Sequence, residues 1–161
     1  MKKIYLSVVC LLISIPLIAQ LYVEPEKEVE CSVFLAKEGR GRAQQGLEIW
    51  DDYIFSCEDG GHVNIYDFKS ADPKPVAGFE LASSHPDNHV NNVCFGVETK
   101  RGASFPLLYI TNGKVGSELE WLCFVESITR RGKRFSSEIA QTIELDGSKW
   151  AEKGYVPIFG A

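Results

Sequence analysis

The densest run of side chains able to do chemistry is residues 85–92, HPDNHVNN. His85, Asp87 and His89 are of the types that ligate a divalent cation, and the carboxamides of Asn88, Asn91 and Asn92 are of the type that hydrogen-bonds sugar hydroxyls. Those six residues are the candidate ligand-binding set. No third ligand of recognised spacing accompanies the two histidines, so the competing reading is loop chemistry: Asx turns leading into a strand, with one histidine fixing the loop. No metal and no cofactor is expected on this ground.

Other groupings point to no catalytic residue. Asp51-Asp52 and Glu58-Asp59 are the closest carboxylate pairs. A glycosidase holds its two carboxylates about 5–10 Å apart across a cleft, whereas neighbours in an extended chain point to opposite faces. Both pairs therefore read as turn residues. Ser83-Ser84-His85 sets a serine beside a histidine without the Gly-x-Ser-x-Gly elbow that exposes a nucleophile. Gly39-x-Gly41 precedes no helix that lends its N-terminus to a phosphate. Cysteine and histidine spacings fit no zinc site. His62 reads as an exposed strand residue, and the basic run Arg130-Arg131-Gly132-Lys133-Arg134 as a solvated hairpin tip.

The elements that must position these residues read as short strands. Residues 46–68, GLEIWDDYIFSCEDGGHVNIYDF, hold three bursts rich in Val, Ile, Phe, Tyr and Trp, divided by Asp51-Asp52 and by Glu58-Asp59-Gly60-Gly61. Such bursts between Asp and Gly predict an antiparallel meander, and Asp59-Gly60 is a hairpin signal because tight turns need residues that accept positive φ. A fourth strand at 76–82 is entered through Pro73 and Pro75, which marks it as an edge. Strands are thus expected at 46–50, 53–58, 62–68 and 76–82. A second, looser unit spans 88–145, with strand candidates at 89–96, 107–111, 119–128 and 138–145 and a further hairpin signal at Asn112-Gly113. A helix over 119–128 is the alternative on apolar content alone, and its aromatic and β-branched bias favours a strand. Residues 146–161 read as the start of a third unit. The fold class expected is all-β, built of antiparallel four-stranded meanders, with a β-sandwich as the alternative.

At residues 57–68, CEDGGHVNIYDF, the chain resembles the hairpin of WD-repeat and related β-propeller blades, where an Asp-Gly turn leads a strand ending in an aromatic residue and Asp. Asp59-Gly60 and Tyr66-Asp67 stand at those places. Residues 85–95 are similar to the entry of a following blade. The resemblance implies a propeller segment with a first blade at 46–82 and a second at 88–145. Since a propeller typically closes with four to eight blades, it also implies the N-terminal portion of a longer protein. It further implies a binding scaffold presenting inter-blade loops, 85–92 among them. Propellers host enzymes too, so the alternative is a portion of a hydrolase or lyase acting on glycans.

The first 19 residues have the layout of a secretory signal peptide: Lys2 and Lys3, an apolar run over residues 4–19 broken by Pro16, and cleavage expected after Ala19. The run is shorter than the roughly 20 residues of a spanning helix. Residues 20–45 read as a polar lead and loop containing one possible strand at 29–35. Loss of the two lysines deepens a formal net charge that is already −5. An acidic balance excludes nucleic acid as the main partner and leaves an extracellular protein or glycan, with peripheral membrane association still open. Cys31, Cys57, Cys94 and Cys123 remain after cleavage. Export permits disulfides, yet three of the four sit in apolar runs, where a free cysteine serves as a small buried hydrophobe. The expectation is an exported, non-catalytic binding module.

Overall fold

A computed structural model describes residues 43–114, 116–147 and 152–153. All of them lie in the compact unit Val33–Ala161. The signal-peptide reading at 1–19, the lead over 20–42 and nearly all of the expected third unit fall outside the described residues.

Every regular element described is a strand. β1 (Gln44–Trp50), β2 (Tyr53–Glu58), β3 (His62–Asp67) and β4 (Ala77–Glu80) form one antiparallel sheet in sequence order, and β5 (Asn92–Phe95), β6 (Leu108–Thr111), β7 (Leu122–Arg131) and β8 (Arg134–Glu144) form a second. Neither sheet closes on itself. Two four-stranded meanders are therefore what the alternation of apolar bursts and turn residues builds.

In the first sheet the turns act as their residues require. Asp51 takes φ 55° between Trp50 and Tyr53, a conformation that Asp tolerates better than most residues. Gly61 has φ 95°, and a Cβ there would sit 2.8 Å from the Ser84 Cα, so two separate constraints require glycine. β4 has only four residues and stands at the edge, as its entry through two prolines predicts.

The second unit departs from expectation in two places, each with a local cause. Residues 89–91 stay outside β5 because Val90 takes φ 42° and the His89 amide donates to Asn112 Oδ1 rather than to a ladder. Asn112-Gly113 makes no hairpin turn: the Asn112 carboxamide is spent on the His89 and Lys114 amides and on Ser117 Oγ, and the chain runs on through turns to Leu122. The basic run is an exposed hairpin tip, as expected, with only Gly132 and Lys133 between Arg131 and Arg134. Gly132, at φ 64°, supplies the turn.

Alternation sends Phe55 and Cys57 of β2, Val63 and Ile65 of β3 and Phe79 of β4 toward the second sheet, where they join Val93, Leu108, Ile110, Phe124, Ile128 and Phe135 in one core. Phe55 lies at its centre, edge-on to Phe95, Phe105 and Phe135 at 5.0, 5.1 and 6.4 Å between ring centroids. β1 lies against β5 and β4 against β8, so the sheets stack in the same strand order. The opposite face of the first sheet is buried as well, through Ile54, Ser56, Glu58, Asn64 and Tyr66. On that face Asn64 Nδ2 donates to Glu58 Oε1 at 2.8 Å.

Candidate functional site

The connection from β4 to β5 carries five of the six candidate residues, with Asn92 opening β5, and its shape is set by one of them. Asn88 is 1% exposed. Its Nδ2 donates to the Ser83 carbonyl at 2.9 Å and to Ser83 Oγ at 3.2 Å, its Oδ1 accepts the Val90 amide, and its own carbonyl accepts the Gly60 amide at 2.8 Å. Asn88 thus ties the loop to itself and to the β2–β3 hairpin tip. Its carboxamide is committed inward, so it belongs to the frame and not to a ligand surface. Val90, fully buried in the core, is held at positive φ by this arrangement. For a β-branched residue that conformation costs on the order of 1–3 kcal/mol.

The remaining five divide. His85 Nδ1 accepts the Asp87 amide at 3.1 Å, which turns the ring back onto the loop. Asn91 is half-buried and packs its carboxamide over Gly113, where even a Cβ would find no room. Asn92 is exposed at the start of β5, paired with Thr111 in the ladder. Of the six only His89 lines a hollow, and Asp87 is tied to that hollow through Lys114. Asp87 forms an ion pair with Lys114, and His89 Nε2 lies 3.3 Å from Asp59 Oδ1. Asp59, Pro86, His89 and Lys114 line a shallow depression of ≈ 370 Å³.

Three connections build that depression: the β2–β3 tip brings Asp59, the β4–β5 loop Pro86 and His89, and the segment after β6 Lys114. Asn112, 1% exposed, links the last two through its Oδ1, which accepts both the His89 and the Lys114 amides. A hydrogen bond from Lys114, and then its charge, hold the Asp87 carboxyl below the ordinary carboxylate range. Carboxylates, an ammonium and an imidazole around an open hollow supply donors and acceptors for polar partners. The lining offers no hydroxyl or thiol nucleophile. Among the described residues no group of three His, Cys, Asp or Glu is placed to hold a metal ion. His85 and His89 serve different partners and do not converge.

A further anchor lies beneath the loop. Glu126 of β7, wholly buried, accepts the Ala82 amide at 2.9 Å on Oε2 and the Ser83 amide at 2.8 Å on Oε1, and Ser137 Oγ donates to Oε2 as well. A buried carboxylate is tolerated where its lone pairs are met by donors, and here they are. It joins the second sheet to the first residues of the loop.

Sequence reasoning missed Asp59 and Lys114 as site residues, and Asn112 and Glu126 as supports. In the sequence Asp59 is half of a carboxylate pair that reads as turn residues, Asn112 is visible only as a turn signal, and Lys114 carries no signal. Among the described cysteines, Cys57, Cys94 and Cys123 are free thiols, with Cys57 and Cys123 buried, while Cys31 lies outside the described residues. No protein-family model matches the chain, and a search of curated proteins finds no match to it.

Proposed function

We propose that the chain is an exported, non-catalytic binding module of stacked, propeller-like β units, and that the hollow around His89 takes part of a glycan or of an extracellular protein. The observation that carries this reading is the construction of the hollow. Three separate connections meet there, each held by a buried group (Asn88, Asn112 or Glu126) whose hydrogen bonds are spent on backbone and not on chemistry. Rigid framing of exposed polar side chains lowers the ordering cost of binding. The stacking of the sheets in the same strand order, with the first sheet buried on both faces, supports the reading as consecutive blades. The loop then stands where one unit passes to the next.

The test is binding of the full chain to a panel of neutral and acidic oligosaccharides, followed by titration of the best of them into His89→Ala and Lys114→Ala. Loss of one charge-assisted hydrogen bond weakens binding by roughly tenfold, and the sugar is recovered unchanged. Release of a cleaved product, abolished in His89→Ala, replaces the binder with an enzyme.

A further inference from the structure

The hairpin of β7 and β8 carries a charge arrangement that the fold itself does not explain. On the face turned away from Ile128 and Phe135 three cross-strand pairs stand in sequence toward the tip, the first starting from a buried serine: Ser127 opposite Glu138, Thr129 opposite Ser136, and Arg131 opposite Arg134. Directly opposed residues of an antiparallel pair have their Cβ atoms about 5 Å apart, and like charges so placed destabilise the sheet. Neither arginine forms an ion pair with any described residue, although the whole chain is acidic. Lys133, at the exposed turn between them, adds a third cation. The one carboxylate of the row, Glu138, is already neutralised by Lys100 at 2.8 Å. The three cross-strand pairs, with Phe135 and Ser137, line a groove of ≈ 640 Å³.

We propose that this groove binds an acidic polysaccharide, with Arg131 and Arg134 gripping a carboxylate or sulfate group and the hydroxyls of Thr129 and Ser136 contacting the sugar beside it. Two guanidinium forks carried on directly opposed strand positions suit a planar or tetrahedral oxyanion better than scattered surface cations do. The bound anion also removes the repulsion between the two arginines, so the cost built into the free hairpin is recovered on binding. A polysaccharide is favoured over a lipid surface by two features. The groove is lined with hydroxyls along the strands, matching a chain of sugars, and no exposed large apolar side chain falls between Thr129 and Ser136 to enter a bilayer. The site shares no residue with the hollow around His89.

The test measures binding of the full chain to heparin, polygalacturonate and dextran at about 0.15 M salt, alongside vesicles of phosphatidylglycerol. Heparin or polygalacturonate is expected to bind and dextran to be ignored, with whichever acidic polymer binds identifying the sulfate or carboxylate as the preferred anion. Arg131→Ala and Arg134→Ala should each weaken binding by about tenfold, and Arg131→Lys/Arg134→Lys should weaken it comparably, because lysine keeps the charge and loses the fork. All these side chains are exposed, so circular dichroism should report an unchanged fold. The proposal fails if neither acidic polymer binds, if the double lysine variant binds like the native chain, or if the vesicles bind as tightly as the polymers. Because the variants of the two sites share no position, failure of the His89 reading leaves this result standing, and the reverse.

Discussion

Cys57 shows how far burial governs a single side chain. It has no exposed surface, and desolvation, with the charge of Glu126 second, pushes its thiol up from 9.0 to about 12. The native thiol therefore stays protonated wherever the protein is handled, and thiolate is the nucleophile. Alkylation at mildly alkaline pH should leave Cys57 unmodified in the folded protein and label it on denaturation, as peptide mapping by mass spectrometry would show; labelling in the native state would contradict its burial. The sign for stability follows from the same shift. A group whose folded pKa is raised contributes fully below its unfolded value and loses that contribution as pH rises through the folded one. Between pH 9 and about 12 the native chain should lose stability relative to Cys57→Ala, which removes the titration. Gly61 makes a second point at this scale: at φ 95° and with the Ser84 backbone 2.8 Å from where a Cβ would stand, Gly61→Ala should cost about 1–3 kcal/mol by urea denaturation.

Connections, more than strands, are what the site depends on, and Glu126 is the clearest case. Glu126→Ala orphans the amides of Ala82 and Ser83 under the β4–β5 loop, at about 1–3 kcal/mol for each unsatisfied group. Glu126→Gln keeps one oxygen as acceptor and should cost roughly half as much. Urea midpoints measure both, and hydrogen exchange at the Ala82 and Ser83 amides should rise in the alanine variant while the β2 amides stay protected. Equal protection in all three proteins would mean that the loop is held by something other than this carboxylate. The same residue shows why strands were legible in the sequence and the site was not. A strand such as β2 is specified by neighbours: alternation of Tyr53, Phe55 and Cys57 and the turn residues on either side. Glu126 meets donors 43 and 44 positions away, and nothing near it in sequence distinguishes it from a solvent-facing strand glutamate. Asn88 and Asn112 misled in the opposite way. Both have the side chain of a turn or ligand residue, and burial converts each into a bracket that spans segments. Asn112-Gly113 failed as a hairpin signal because its carboxamide found better partners in His89, Lys114 and Ser117 than a two-residue turn provides.

At the scale of the molecule, the two sheets are coupled through aromatic residues that each contributes to a shared layer. Phe55 and Phe79 come from the first sheet, Phe95 and Phe135 from the second, and Phe105 from the connection between β5 and β6. Each sheet alone would leave one face of that layer in water, so neither is expected to be stable without the other. Phe55→Ala should therefore cost about 3–5 kcal/mol, well above the ±0.5 kcal/mol typical of a surface change, and the loss should appear in both sheets. Tryptophan fluorescence tests this coupling directly. Trp50 ends β1, its ring 5.7 Å from that of Phe95, and Trp121 immediately precedes β7. With Trp150 replaced by Phe, variants that retain only one of these two tryptophans should unfold in urea with the same midpoint, and Phe55→Ala should move both midpoints together. Separate transitions would show two independently folding meanders. In that event the framing of the β4–β5 loop by Glu126 would persist only while both sheets are folded. The hollow around His89 would then be lost at the lower of the two midpoints, which makes ligand binding across the urea series the decisive companion measurement.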